Sequence, residues 1–490
     1  MAAPNGSSLP EDILNEIFQA VTPSDTISAR LVGHLALLRL AHVCRPWRTV
    51  AQNNPKLWRK LYLGDPHPDY EVSVSKQVRV ATARVQHWLD RCGSQGLSLA
   101  LRTSSAEVAT KVFDDIVADN LPRFRSLDIA GLPIMPVQAV RSHTPLPLLE
   151  SLAISGKPPS WSPAYPSYVY EGWKGLAASP ALRKVHLGSF GRAMFTLPST
   201  IPWGQLTHVS LTQIINAEVF FFQLADACKQ VQNLTVRVAL IPGHILPSAT
   251  PFTFPNLQQL DISFALATDI AFFDLLDMPS IQSFALRTGN QVYQLWGCLR
   301  ESSPSRDRLF AQLRNISTLI IESYPWQDGT THTAFMQLLY NCNKIDTFAL
   351  SCPSDNYNPL IRELTACRSI SDDPFLPNLR SFTLCLRREG CVDVGGLARR
   401  LSPLDLARMV HARTSSSAPT APCKIQVHFD DNPYAPGSFQ KLLEETYVEF
   451  IGAPFPQFVL KEGGGHCHDE LENLHLWTVS GHLGGGNLHI

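Results

Sequence analysis

The chain has almost no net charge, with 41 basic against 42 acidic residues and a formal value of -1. Such a balance provides no long-range field to draw it to nucleic acid or to an anionic membrane. It also has no apolar run approaching the roughly 18 to 20 residues that span a bilayer. Its N-terminal segment carries Glu11, Asp12 and Glu16 where a secretory signal would need a cationic start and an apolar stretch. These absences point to a chain of the cytoplasm or nucleus, with neither a membrane nor a nucleic-acid partner.

Eleven cysteines are present, and none forms a CxxC pair. Cys228, Cys342 and Cys385 fall in apolar stretches, so the cysteines read as free, mostly buried thiols. Gly465-His466-Cys467-His468-Asp469, with His475, His482 and His489 nearby, offers zinc-type ligands without chelate spacing. It reads as a polar tail, and neither a metal nor a cofactor is expected. A phosphate-cradling GxxxxGK[ST], a GxSxG elbow and an HExxH are all missing. The acidic pairs Asp114-Asp115, Asp372-Asp373 and Asp430-Asp431 fit solvated turns, so no catalytic residue is named and the chain reads as a non-enzyme.

What is present is apolar residue in quantity, 44% against 17% charged, enough for a large core. At 490 residues that core belongs to several domains or to one elongated array. Ser8-Leu9-Pro10-Glu11-Asp12 reads as a helix start, with proline and acids in the first turn. Ile13 with Ile17, and Leu14 with Phe18, follow at four-residue spacing. A second helix is predicted over Leu35 to Val43 and a third from Arg45-Pro46-Trp47 towards Gln52, where Asn53-Asn54-Pro55 stops it before Leu57-Trp58. Three short helices cannot bury so much Leu, Ile and Trp among themselves, so part of this surface needs a partner or the next domain.

Leu9-Pro10-Glu11-Asp12-Ile13-Leu14, Ile17-Phe18, Val43-Cys44-Arg45-x-Trp47 and Leu57-Trp58 together resemble the F-box family over residues 9 to 63. The resemblance implies docking on a Skp-family adaptor and, through it, a cullin. It would place Leu9, Pro10, Ile13, Leu14, Ile17, Val43, Cys44, Trp47 and Trp58 at that adaptor face. One departure is the segment from Val21 to His34, longer than the family usually has between its first two helices.

Beyond it, Val78 to Cys92 reads as an amphipathic helix in a linker over 64–95. A short apolar signature then returns: Leu97-x-Leu99, Leu127-x-Ile129, Leu152-x-Ile154, Val185-x-Leu187, Val209-x-Leu211, Leu234-x-Val236, Leu260-x-Ile262, Phe284-x-Leu286, Leu319-x-Ile321, Phe348-x-Leu350, Phe382-x-Leu384 and Ile425-x-Val427. Many copies carry a further apolar residue three positions earlier, among them Leu149, Leu182, Leu206, Leu257, Ile281, Ile345 and Leu379. Spacing averages about 28 residues, near the roughly 20 to 29 of leucine-rich repeats. Period-two alternation makes each signature a strand, and helices are predicted between several, over Glu218 to Gln230, Ile270 to Leu276 and Thr333 to Tyr340.

The asparagine that normally follows such a signature is absent from most copies, and the steps from Leu152 to Val185 and Phe284 to Leu319 are long. The predicted fold is therefore α/β: a three-helix F-box, then an irregular leucine-rich-repeat solenoid, a curved parallel sheet with outer helices over 96–390. Two separate mixed sheets would share the same strands. Loops such as Pro158 to Trp173 would protrude, 391–460 would form a C-terminal repeat or capping region with a helix over Gly395 to Ala412, a strand around Cys423 to Phe429 and a helix over Phe439 to Glu449, and 461–490 would be a mobile tail.

This order of parts resembles a large group of fungal F-box proteins. The resemblance implies the substrate-recognition subunit of a Skp-cullin-F-box ubiquitin ligase whose repeats hold a protein client. A scaffold or interaction protein without ligase function is the alternative, and a third is a repeat-fold enzyme or zinc protein using the C-terminal His/Cys cluster. The client face would use outward strand positions: Asp128, Lys184, His186, His208, Asn233, Gln259 and Asp261, with Ser126, Ser210, Thr235, Ser381 and Thr383 beside them. A solvated sheet face needs polar residues in any case.

Overall fold

A computed structural model describes residues 9–21, 35–64, 73–130, 145–155, 174–188, 197, 199–214, 217–238, 252–264, 273, 276–288, 304–322, 329–352, 358–365, 375–386, 402–414, 424–429 and 459–462. The long segment between the first two helices, the Pro158 to Trp173 loop, the helix expected over Phe439 to Glu449 and the His466–Cys467–His468 cluster lie outside these residues. Two compact units divide the chain, one within Met1–Gln213 and one within Ile214–Thr478.

The first unit opens with α1 (Glu11–Val21), α2 (Leu35–Ala41) and α3 (Arg45–Asn53). Glu11 and Asp12 occupy the first turn of α1, where carboxylates complement the positive end of the helix dipole. Leu14 and Phe18, four apart, turn inward and are buried. Pro46 sits in the first turn of α3, where its missing N–H costs nothing. The Asn54 side chain accepts from the Lys56 N–H at 3.0 Å and opens a 3-10 turn over Pro55–Trp58. Leu57 and Trp58, at the end of that turn, are buried.

The chain then enters β1 (Lys60–Gly64), α4 (Val74–Cys92) and β2 (Leu97–Arg102). β1 and β2 pair in parallel, from Lys60↔Ser98 to Gly64↔Arg102. Parallel neighbours need a crossover between them, and α4 is that crossover. The helix expected in a linker is thus the helix of a strand–helix–strand unit, and Leu61-x-Leu63 is a copy of the apolar signature that precedes the first one named above. Gly93, with φ of +57°, ends α4 in the left-handed region that suits glycine.

After α5 (Ala106–Val112), the strands β3 (Phe124–Ala130), β4 (Ser151–Ser155), β5 (Lys184–Leu187) and β6 (His208–Ile214) extend the ladder in sequence order, each parallel to the one before. The second unit holds α6 (Ala217–Ala227), β7 (Asn233–Val238), β8 (Phe252–Thr253), β9 (Gln259–Phe264), β10 (Leu276–Asp277), β11 (Ser283–Thr288), α7 (Pro304–Leu313), β12 (Thr318–Glu322), α8 (Gly329–Asn341), β13 (Thr347–Cys352), α9 (Asn358–Thr365), β14 (Ser381–Leu386), α10 (Pro403–Thr414), β15 (Lys424–Phe429) and β16 (Val459–Glu462). β7, β9 and β11 to β16 form its parallel ladder, and β8 with β10 makes a two-stranded parallel pair.

One local turn builds these repeats. The apolar residue that opens each signature donates its N–H to the carbonyl three residues back: Leu149 to Leu146, Leu182 to Ser179, Leu206 to Trp203, Val231 to Cys228, Leu257 to Phe254, Ile281 to Met278, Ile316 to Leu313, Ile345 to Cys342 and Leu379 to Leu376. In eight of these nine copies the next N–H reaches a carbonyl at or just before the start of the preceding repeat's strand, as Arg183 N–H to Glu150 O and Arg380 N–H to Asp346 O do. The buried side chain fixes the turn and the freed N–H joins the ladder, so one apolar position sets both packing and register.

Three expectations need correction. The ladder runs on through β15, where a strand around Cys423 to Phe429 was expected, to β16, so residues 461–462 of the expected tail belong to a strand. Leu276 begins the short strand β10, where a helix had been placed up to that residue. Cys385 is disulfide-bonded, whereas Cys44, Cys92, Cys228 and Cys342 are free. A buried apolar cysteine reads alike from sequence whether it is bridged or not, since both states favour burial.

Candidate functional site

Two surfaces carry the sequence-derived candidates. The first is on the N-terminal helices. Residues four apart lie on one helix face, and here neighbouring stripes of α1 part company: Leu14 is 1% exposed while Ile13 is 47% exposed, and Leu9, just before the helix, is 43% exposed. Pro10 is exposed beside Leu9, and Ile17 is half-buried. Val43, between α2 and α3, is 60% exposed, and its neighbour Cys44, the residue preceding α3, is exposed as well.

Trp47 holds α3 against α1, its ring meeting Phe18 edge-on at 5.5 Å, and it keeps a half-exposed outer side. The Asn54 side chain donates to Asn15 Oδ1 at 2.7 Å, and Arg48 Nε donates to Ala41 O at 3.1 Å, fixing the three helices on one another. Among the described residues, seven large apolar side chains are notably exposed, and Leu9, Ile13 and Val43 are three of them. That concentration in a short segment marks a face built to be covered.

Leu14 and Trp58 do not belong to that face. Leu14 fills the interior of the helices, and Trp58, 2% exposed, donates its indole N–H to Ala51 O at 2.7 Å. Their type and spacing match the motif because the motif records the small core as well as the surface.

The second surface is the sheet side opposite the apolar strand positions. Its polar residues fall in two rows. In the first unit the outer row runs Ser98, Ser126, Ser151, Lys184 and His208 across β2 to β6, all half-exposed. The row beside it runs Ala100, Asp128, Ala153, His186 and Ser210 and is buried. The second unit follows the division in part: Asn233 and Gln259 are half-exposed and their side chains are hydrogen-bonded, but Ser283 in the same row is buried, and in the row beside it Thr235 is half-exposed while Asp261, Ala285, Ile320, Ala349 and Thr383 are buried.

Asp128, His186 and Asp261 are therefore not open client contacts. Asp128 Oδ2 accepts from Arg102 Nε at 3.0 Å and from Nη2 at 2.7 Å. Burial still pushes its carboxyl up, outweighing the pull of Arg102. His186 Nδ1 lies 2.7 Å from Ser210 Oγ. Arg287, on β11, donates Nε to both Asp261 oxygens and Nη1 to Glu322 Oε2 at 3.0 Å, and all three side chains are buried. A buried charge needs such a partner. Lys184, His208, Asn233 and Gln259, with Ser126, Thr235 and Ser381, stay within reach of solvent, and among them His208 is pushed down to about 4 by burial and by Lys184 beside it.

Among the described residues no group of three or more His, Cys, Asp or Glu side chains is placed to hold a metal. None of the described helices is long and apolar enough to cross a membrane.

Residues 7–64 match the family model of the F-box-like domain, and that segment is an F-box-like domain with a helical N-terminal part that runs into the first strand of the sheet. No curated protein matches the chain. Similar solved structures include the yeast Rad7 and Elc1 complex, at 13% identity over 95% of this chain and 99% of that one, with a TM-score of 0.36. A Bacteroides fragilis protein matches at 15% identity with a TM-score of 0.28, over 64% of this chain and 65% of its own, just under two thirds. At such scores neither likeness decides anything about function.

Proposed function

We propose that this chain is the client-recognition subunit of a Skp-cullin-F-box ubiquitin ligase. The outward apolar face of the F-box-like segment carries this reading: Leu9, Ile13 and Val43 stand exposed while Leu14 and Phe18 on neighbouring positions are buried. An adaptor covers them together with Pro10, Ile17, Cys44 and the open side of Trp47. The client is held by half-exposed outer-row positions within one unit, Lys184 and His208 in the first or Asn233 and Gln259 in the second. Ubiquitin transfer belongs to other subunits, and this chain contributes proximity, raising the effective concentration of the client at the transfer site.

Pull-down of a Skp-type adaptor by wild type and by a Leu9→Ala, Ile13→Ala, Val43→Ala variant tests the reading. Truncating buried interface anchors costs about 2 kcal/mol or more at a hot spot, so the variant loses capture while keeping its circular dichroism spectrum. Retained capture by the folded variant removes this face from adaptor binding. A scaffold without clients is the second reading, favoured by the burial of Asp128, His186 and Asp261, which shrinks the available client face. Proteins that accumulate when the chain is deleted, and accumulate equally under proteasome inhibition, distinguish a receptor from a scaffold.

A further inference from the structure

The F-box-like segment and the repeats share covalent and side-chain structure at one place. β1, the last part of the matched segment, is hydrogen-bonded into the repeat ladder through β2, and Ser98 N–H donates to Arg59 O at 2.7 Å. Immediately before β1, Trp58 is buried between the two parts. Its indole N–H is held by Ala51 O of α3, and its ring meets Trp88 of α4 at 5.0 Å and 71°, with His87 at 5.4 Å. Arg91 lies over the same ring, 5.1 Å from its centre. Trp88 completes the path by donating its own indole N–H to Lys60 O, in β1, at 3.1 Å.

A chain that needed only a tether here would require none of this. A flexible connection is exposed and polar, whereas this one is a buried edge-to-face aromatic pair with each indole N–H satisfied on a different side of the joint. Each ring is locked by a directional bond, so neither can rotate without breaking one.

We infer that the Trp58–Trp88 pair, held by Ala51 O and Lys60 O, is a rigid joint that fixes the F-box helices relative to the first repeat strands. Trp58 and Trp88 are positioning residues in this sense. The functional consequence rests on the adaptor reading: distance between adaptor and client is set by the joint instead of by a tether's statistics. The joint itself can be tested without an adaptor or a client.

Donor and acceptor dyes at Gln19 on α1 and Lys111 on α5, both exposed, introduced through unnatural amino acids, report the angle across the joint by single-molecule energy transfer on the full chain. Wild type should give one narrow distance distribution. Trp88→Ala should broaden it at least twofold, and Trp88→Phe, which keeps a ring in the pair but loses the bond to Lys60 O, should fall between the two. A broad wild-type distribution, or a Trp88→Ala distribution as narrow as wild type, overturns the joint. If Trp88→Ala loses its helical circular dichroism, the His87→Ala, Arg91→Ala double variant replaces it. That variant keeps both indole N–H bonds and touches no part of the pair itself, so it is read together with Trp58→Phe, which removes the bond to Ala51 O; a Trp58→Phe distribution as narrow as wild type overturns the proposal. Adaptor pull-down by wild type is a separate readout, so failure of the ligase reading is distinguishable from failure of the joint.

Discussion

Individual side chains report their surroundings through titration and reactivity. His208 is held neutral by burial and by Lys184, from an ordinary 6.5 down to about 4. The unfolded chain therefore binds a proton that the folded chain refuses, so this histidine leaves stability intact above about pH 6.5 and removes it as pH falls towards 4. His208→Gln should flatten that part of the stability-against-pH curve, measured by urea unfolding between pH 7 and pH 4. An unchanged slope would mean the imidazole is solvated. The free cysteines divide in the same way: Cys228 and Cys342 are pushed up to about 12 by burial, while Cys44 is exposed at the proposed adaptor face. Maleimide should thus modify Cys44 within the native protein and leave Cys228 and Cys342 until unfolding. Bound adaptor should protect Cys44, and undiminished labelling of Cys44 in a verified complex would put the adaptor elsewhere.

Elements were legible in the sequence where burial is one-sided. Every one of the twelve apolar signatures named from Leu97 to Ile425 lies in an observed strand, because a strand packed on helices must place an apolar residue at each second position. β1 carried the same signature in Leu61 and Leu63 but was hidden behind the F-box motif that claims the same residues. The polar half of the strands was not legible, since alternating polar residues look alike whether solvated or paired in the interior. A signal did exist: Ala100, Ala153, Ala285, Ile320 and Ala349 interrupt that half with residues that have no reason to face water. Arg413 of α10 shows how elements are tied together by a residue that sequence reads as surface. It is buried and donates Nε to Leu364 O at the end of α9, Nη1 to Leu376 O at 3.1 Å and Nη2 to Phe375 O at 2.6 Å. Only a planar fork spans three carbonyls. Arg413→Ala strands those groups and should destabilise the second unit by about 3 kcal/mol or more, and Arg413→Lys should recover less than half of it. Thermal unfolding of the two variants checks this, and equal stability of wild type and Arg413→Ala would assign the guanidinium no structural role.

Within each unit the strands form a ladder in which each repeat is joined chiefly to its neighbours, so a ligand stabilises what it touches and loses influence with distance along the ladder. The proposed adaptor face lies on α1 to α3, which connect through Trp58 to β1, α4 and β2. An adaptor at a free concentration one hundred times its Kd stabilises the folded form by about 2.7 kcal/mol. Hydrogen exchange should report that amount at amides of α3, β1 and α4 that open only when this end unfolds. Amides of β12 to β14 in the second unit should exchange unchanged. Equal protection in both places would mean that the chain opens as one cooperative body. Protection confined to β12 to β14 would place the adaptor there and remove the N-terminal face from the interaction. Because exchange resolves the two ends in one sample, the experiment separates where a partner binds from how far its binding is felt.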